Sequence, residues 1–565
     1  MTTFNVGNAQ PPDDLSSWLT RAASMDIVAI GAQECSYTAT SNPMAASIQR
    51  ASSENSSRHA GSSADGPTEA TPLLDGDTDS EGDISRISSS PKVTQAYSST
   101  SMGGKEHWHT LLSAHFPEDE YACIAKLSAW DRCLNIFVKR NLLPAVSRVR
   151  SDTANVGLGG VAGNKGAIGA RFTVFDTDFL VINSHLAAHA REVNRRNEDF
   201  ASITGGLWNL RDNPEVDILA GAVHHLIWMG DLNYRIDLER DKVLELIEKE
   251  DWESLHQADQ LRKEMEAGRA FQGFHEGATD FRPTYRYLRG SREYSAVKLR
   301  VPSYCDRILY RSLGGCRLKL QEYRPADEIQ TSDHSPVYGI FSANLVHTRG
   351  TRDLEAIAMD SSCQEARDLG LMSPIVSPRT LSMRALLPGF SEITGMQLQF
   401  KSLSATGIPE MDHGGRRIQV AKALHIHNHV GWKKHEELGA GQHADPYCTF
   451  HGDAVAELDE GEYRTRTIEA SQNPVWEAES VPGIDLLSSA SNSVGKRYVV
   501  ITVRDEIPTR RDDVIGSAVL WLGGSGTGSE WSALVGNEPI AFSLPLMLGG
   551  KNQGQIQGSY ILKRT

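Results

Sequence analysis

The sequence predicts an α/β domain over residues 1–345 and an all-β sandwich over 395–565, joined by a linker at 346–394. Three observations lead there. In the first part, short apolar runs stop abruptly on polar residues, as buried strands do when they deliver groups to a surface. Helical patterns fall between those runs. After about 395 the pattern changes to short alternating strands.

The run Leu226-Ile-Trp-Met229 halts at Gly230 and presents Asp231 and Asn233. It is the clearest of the set. Before it, residues 2–6 read as a strand ending at Asn5, and 26–32 (DIVAIGA) as a buried strand ending at Gln33-Glu34. Residues 16–23 read as a short helix with Trp18, Leu19 and Ala22 on one face. From 42 to 104 Ser, Gly, Thr and acids dominate; such a stretch buries too little to offset its ordering entropy, so it is expected to be a disordered insertion. Within it, Glu69-Ala-Thr-Pro-Leu-Leu74 has dileucine-signal spacing, which chance in a low-complexity loop also yields. A helix is expected at 107–116 and strands at 134–139 and 142–149. A glycine-rich turn (157–166) then feeds a further strand, and FLVINS at 179–184 delivers His185. Helices are expected at 192–208 and as a charged pair over 244–265. A strand follows Cys305-Asp-Arg307, and the last strand, 336–341, follows Ser332-Asp-His334.

Composition limits the function. The net charge of −15 argues against a broad nucleic-acid-binding surface. Seven scattered cysteines without CxxC spacing read as reduced thiols of a cytoplasmic protein. No stretch reaches the roughly 18 consecutive apolar residues of a membrane span, and no signal peptide is visible, so membrane contact is expected to be peripheral.

Five strand ends therefore carry Asn5, Glu34, His185, Asp231 with Asn233, and Asp333-His334. Taken singly, each has an ordinary turn or surface explanation. Together they point to one cleft built for phosphoester hydrolysis. Glu34 is the candidate ligand for a hard cation such as Mg²⁺, with Asn5 beside it. Asp231 is the candidate base for a water. His334, His185 and Asn233 are candidate donors to phosphoryl oxygens, and Asp333 is expected to orient His334.

These residues carry a resemblance. QE at 33–34, GDLN at 230–233 and SDH at 332–334 are similar to the pattern of the DNase-I-like phosphoesterases. GNKG at 163–166, NSHLAAH at 183–189 with RRN at 195–197, PTYRY at 283–287 and VPSYCDRI at 301–308 resemble, more narrowly, the inositol polyphosphate 5-phosphatase family. That resemblance implies a four-layer α/β sandwich, two packed sheets flanked by helices. It implies Mg²⁺-dependent removal of the 5-phosphate from PI(4,5)P2 or PI(3,4,5)P3 at a membrane surface. By position it assigns Asp231, Asn233, His334, Asp333 and His185 to catalysis and Glu34 and Asn5 to the metal. Tyr285, Arg286, Lys298 and Arg300 fall where the family grips a 4-phosphate, Arg196 and Asn197 where it meets a 1-phosphate, and Lys165 near the substrate. Arg286 stands where that family usually has Lys, and Tyr304 where it has Trp. The chain also opens almost inside its first strand, which reads as a shortened N-terminus with a weakened sheet edge. Leu158 and Val161, in the glycine-rich loop, read either as lipid contacts or as packing within the turn.

Residues 396–412, ADPYC at 444–448, NPVW at 473–476 and DDVIG at 512–516 resemble a C2 domain. Its calcium positions would be Asp412, Asp445, Asp505 and Asp513, while Ile507 takes the place of a further acid. One lost carboxylate weakens a Ca²⁺ site, so a calcium-independent or weakly calcium-binding module is expected; an insertion in it carries Trp432, Lys433 and Lys434. Two rival readings are a catalytically weak lipid-binding scaffold and another phosphodiesterase of the same superfamily, a nuclease or sphingomyelinase.

Overall fold

The computed structural model describes residues 1–39, 102–156, 165–175, 177–211, 217–220, 223–312, 318–345, 393–409 and, with short breaks, 444–564. The dileucine sequence, Leu158, Val161, residues 346–392 of the linker, Asp412 and the 432–434 cluster lie outside the described residues.

Alternation along the strands builds four layers. On the strand His225–Asp231, Ile227 and Met229 face one core, and Leu226 and Trp228 face another. The neighbouring strand Thr177–His185 splits likewise, with Phe179 and Val181 opposite Leu180 and Ile182. Successive side chains of a strand point to opposite faces, so a strand buried on both faces needs a cover on each. The middle core joins this sheet to a second one through Ala29, Leu134 and Ile136. The outer core of the first sheet packs on helix Val193–Gly206 through Phe200 and Ile203. The outer core of the second packs on helix Gly104–His115 through Trp108, Leu111 and Leu112.

Each sheet has six strands. One runs Leu318–Pro325, Val337–Ala343, Thr2–Asn5, Ile27–Gln33, Arg132–Lys139, Tyr121–Ala129. The other runs His275–Glu276, Asp306–Ser312, His225–Asp231, Thr177–His185, Gly166–Val174, Val146–Asn155. This is the expected four-layer sandwich. Several elements differ from expectation. Thr2–Asn5 is an interior strand, held between Val337–Ala343 and Ile27–Gln33, and not an edge. The 142–149 strand begins only at Val146, after a turn of 3₁₀-helix at Leu143–Ala145. The charged helical pair is three helices, Arg240–Glu248, Trp252–Gln257 and Gln260–Glu266, the last two capped by Asp251 and Asp259. The described residues resume at 102, inside the expected insertion, where Thr38 and Ala39 pair with Gly103 and Met102.

The C-terminal sandwich is one curled sheet closing on its own core. Its path runs Tyr463–Arg464, Pro446–His451, Tyr498–Asp505, Asp513–Trp521, Ile540–Leu548, Lys551–Arg564, Ile393–Thr406, Val475–Trp476. Leu398, Phe400, Ile501, Val503 and Ile515 lie in that core. Its outer face is not free. Tyr498, Val500 and Met547 join the core around helix Val193–Gly206, and the Gly550 amide donates to Asp217 Oδ2 at 2.9 Å.

Candidate active site

Sheet pairing brings the site together. Asp231 ends a central strand, and its register partners are His185 on the parallel neighbour and Asp306 on the antiparallel one. Gly230 permits this spacing. Its φ is 143°, and a Cβ there would run into the Ser184 carbonyl. The second sheet contributes from the same edge, because Asn5 pairs with Gln33, the residue before Glu34. A buried amide bracket locks the two sheets at this edge. Gln33 Nε2 donates to Asn183 Oδ1 (2.5 Å), and Asn183 Nδ2 donates to the Ala32 and Cys133 carbonyls.

At the centre, Asp231 is buried. Its Oδ2 accepts from Asn5 Nδ2 at 2.9 Å and lies 3.3 Å from His185 Nε2. Its Oδ1 accepts the Asn233 amide at 3.0 Å. Burial alone would raise this carboxyl, but His185, His334 and Lys165 together hold it well below the usual carboxylate range. Lys165 Nζ sits against His185 Nε2, and burial lowers its ammonium below the ordinary value. His334 Nδ1 meets Asp306 Oδ2 at 2.9 Å, and Thr284 donates to the same oxygen at 2.7 Å. Burial disfavours the His334 charge, yet Asp306, with Asp231 and Asp333, raises it to about 9. Asp306 itself is pushed up by burial, against the pull of His334. The Tyr285 ring lies tilted against His334 with ring centroids 4.5 Å apart, and Arg300 donates to its hydroxyl.

Three expectations change here. Asp333 does not orient His334. It accepts from Arg286 Nε at 2.9 Å and lies 3.9 Å from Arg289, while Asp306, from the next sheet strand, takes the imidazole. Arg196 is fully buried. Its guanidinium donates to the Ala187 and His189 carbonyls and to Gln260 Oε1, so it shapes the loop after His185 and does not face a 1-phosphate. Asn197 is likewise committed, to Glu264 and to the Tyr234 hydroxyl. The Asn233 amide donates to the Leu186 carbonyl (3.1 Å), and its oxygen is taken by Arg235. Lys298 is exposed on a loop beside Arg300.

The donor set fits a hard cation. Glu34 is 29 % exposed, and among the described residues its oxygens accept long amide bonds from Asn5 (3.3 Å) and Asn8 (3.2 Å). That leaves acceptor capacity facing the cleft, as Mg²⁺ with its retained waters needs. Ligand atoms of Asp231, Asp306 and His334 also lie within 4.8 Å of one another. There, however, the Asp306–His334 hydrogen bond already uses the facing atoms, so Glu34 is the better fit.

In the sandwich, Asp445 Oδ1 accepts the Ala470 amide (2.7 Å) and Asp505 Oδ1 the Asp445 amide (2.8 Å). Arg464 enters the same end, 3.7 Å from the Tyr447 ring centroid and 3.0 Å from Glu506.

Residues 2–340 match the model of the endonuclease/exonuclease/phosphatase family 2, and residues 397–534 match the C2 domain. The chain belongs to that family, whose members are metal-dependent phosphoesterases, and carries a C2 domain behind it. It is 34 % identical over 306 residues to the type II inositol 1,4,5-trisphosphate 5-phosphatase of Mus musculus, covering 53 % of this chain and 30 % of that protein. It is 35 % identical over 254 residues to the Homo sapiens phosphatidylinositol 3,4,5-trisphosphate 5-phosphatase 2, covering 43 % of this chain and 20 % of that protein. This chain thus spans less than a third of the length of either relative. The inositol polyphosphate 5-phosphatase domain of SPsynaptojanin, solved with inositol (1,4)-bisphosphate and calcium, is 25 % identical with a TM-score of 0.45, over 65 % of this chain and 91 % of that one. No helix among the described residues is long and apolar enough to cross a membrane.

Proposed function

We propose that this chain is a Mg²⁺-dependent phosphatase that removes the 5-phosphate of PI(4,5)P2 and PI(3,4,5)P3, acting as a peripheral protein on the cytoplasmic face of a membrane. One observation carries the reading. Asp231, His185, Asp306–His334, Asn5 and Glu34 reach a single edge from two different sheets. Asp231, held as a carboxylate, orients the attacking water and accepts its proton. His334, kept as imidazolium by Asp306, has Nε2 left to donate to a phosphoryl oxygen. Lys165 adds positive charge on the other side of Asp231, where it sits against His185. Mg²⁺ held by Glu34 and Asn5 would neutralise phosphoryl charge. The Arg300–Tyr285 pair, with Lys298 and Arg286, supplies the grip on a neighbouring phosphate; with Arg286 tied to Asp333, its outer nitrogens carry that role.

In this reading residues 1–345 form the catalytic unit, 346–394 the linker and 395–565 a sandwich that contributes to membrane attachment. The sandwich works without Ca²⁺, since Arg464 occupies the end where the acids gather. Product analysis tests the assignment. PI(4,5)P2 and PI(3,4,5)P3 should yield PI4P and PI(3,4)P2, and EDTA should stop both. Appearance of PI5P, or nicking of plasmid DNA with both lipids intact, would replace the reading.

A further inference from the structure

The residues between 286 and 300 present an unusual surface. Eight large hydrophobic side chains stand exposed among the described residues, and three of them, Leu288 (41 %), Val297 (54 %) and Leu299 (68 %), fall within this stretch. Leu299 is the most exposed of the eight. The loop holding Val297 and Leu299 is built to stand out. Lys298 and Leu299 both adopt left-handed backbone, with φ of 58° and 45°, a conformation that costs energy in residues with side chains. The base of the loop is fixed: Ser295 N donates to the Arg286 carbonyl at 2.9 Å, and Arg240 donates to the Ser295 carbonyl at 3.2 Å. So an apolar tip is held on a firm stem rather than folded back onto the core.

Its position ties it to the active site. Arg300, the next residue, donates to the Tyr285 hydroxyl, and the Tyr285 ring lies tilted against His334. Arg300, the backbone neighbour of Leu299, is therefore two side-chain contacts from a group proposed to touch the phosphoryl oxygens. The charge around the tip is also distinctive. In a chain of net charge −15, residues 286–300 hold five basic residues (Arg286, Arg289, Arg292, Lys298, Arg300) and one acid, Glu293. Arg292 spends its guanidinium on the Asp327 and Ile329 carbonyls; Lys298 stays exposed, and Arg289, half-exposed, donates to the Gly7 carbonyl.

We propose that the 297–299 tip inserts into the interface of an anionic bilayer, with Val297 and Leu299 entering the boundary between headgroups and acyl chains and the exposed part of Arg289 meeting lipid phosphates. Apolar side chains flanked by basic ones are the pattern of interfacial insertion, and an exposed basic stretch in an otherwise acidic chain is complementary to an anionic leaflet. The proposal rests on the phosphoinositide reading: insertion beside the mouth would set the site at the height of a headgroup that stays in its bilayer.

The test uses the full chain and the double variant Val297→Ser/Leu299→Ser, both positions being exposed. One arm measures sedimentation with phosphatidylcholine vesicles containing phosphatidylserine and no phosphoinositide. The other compares kcat/KM on PI(4,5)P2 in those vesicles with kcat/KM on monomeric short-chain PI(4,5)P2. The proposal expects vesicle binding and vesicle hydrolysis to fall about tenfold with the short-chain rate unchanged, and Leu299→Trp to strengthen vesicle binding. Unchanged sedimentation overturns it, as does an equal loss on both substrates, which would make the loop part of the catalytic site. Were the wild type to hydrolyse neither substrate, the phosphatase reading would fall, and the sedimentation arm alone would still decide the insertion.

Discussion

His334 owes its charge to a residue that is far from it in sequence. Asp306 lies 28 positions earlier, yet it stands opposite Asp231 in the sheet and bonds the imidazole at 2.9 Å. Removing that carboxylate should matter more than removing Asp333. Because the His334 pKa is raised to about 9 in the fold, the imidazolium is present at neutral pH, and activity that depends on it is lost as pH rises through about 9. Asp306→Asn should lower kcat on the order of 10²-fold and move the alkaline limb of the pH–rate profile down toward the ordinary histidine range near 6.5. Asp333→Asn should leave that limb in place and act on KM through Arg286. A pH–rate series on the two variants checks this; an alkaline limb that follows Asp333 would reverse the assignment. The strand-end residues Asn5, Glu34, His185 and Asp231 were legible in the sequence because each follows an apolar run. Asp306 was not, because it begins its strand and its role comes from pairing with Asp231.

Helix Val193–Gly206 and the strand His225–Asp231 show why some elements were readable and others not. Arg196 sits at the i, i+4, i+7 spacing with Phe200 and Ile203, all buried. That periodicity marks a core-facing position and outweighs the basic side chain as a signal. Arg196→Ala should cost about 3 kcal/mol of stability, as buried charge-assisted hydrogen bonds do, measured by urea unfolding. A phosphate contact would instead raise KM and leave the denaturation midpoint unchanged. The strands Tyr121–Ala129 and Leu318–Pro325 escaped notice because both are edges of one sheet, and their outward residues are exposed and partly charged. Gly230 is the tightest point of the central strand. Gly230→Ala should destabilise by about 1–3 kcal/mol through strained backbone and a clash with the neighbouring strand. An unfolding midpoint equal to wild type would mean that the close approach to Ser184 relaxes freely.

The molecule couples its two domains through a shared core. Tyr498, Val500 and Met547 of the sandwich pack into the cluster that also holds Phe200 and Trp228, and Gly550 approaches Thr204 closely. Chain organisation was legible as two domains, but this contact was not, since nothing in a strand pattern says which sandwich face is covered. The full chain should unfold in one calorimetric transition. Met547→Asp, which buries an unpaired charge, should split it in two; a split already present in the wild type would show that the interface does not couple the domains. The same helix that receives the sandwich carries Arg196, which fixes the loop after His185, so the catalytic edge is an assembly of both sheets and their supports. Its centre is Asp231. The measurement that decides the account is Mg²⁺-dependent phosphate release from short-chain PI(4,5)P2 by wild type and by Asp231→Ala, with folding verified by circular dichroism. The expected result is release that EDTA abolishes and that Asp231→Ala lowers on the order of 10³-fold. Release that persists at the wild-type rate in the variant, or none from the folded wild type, would contradict it.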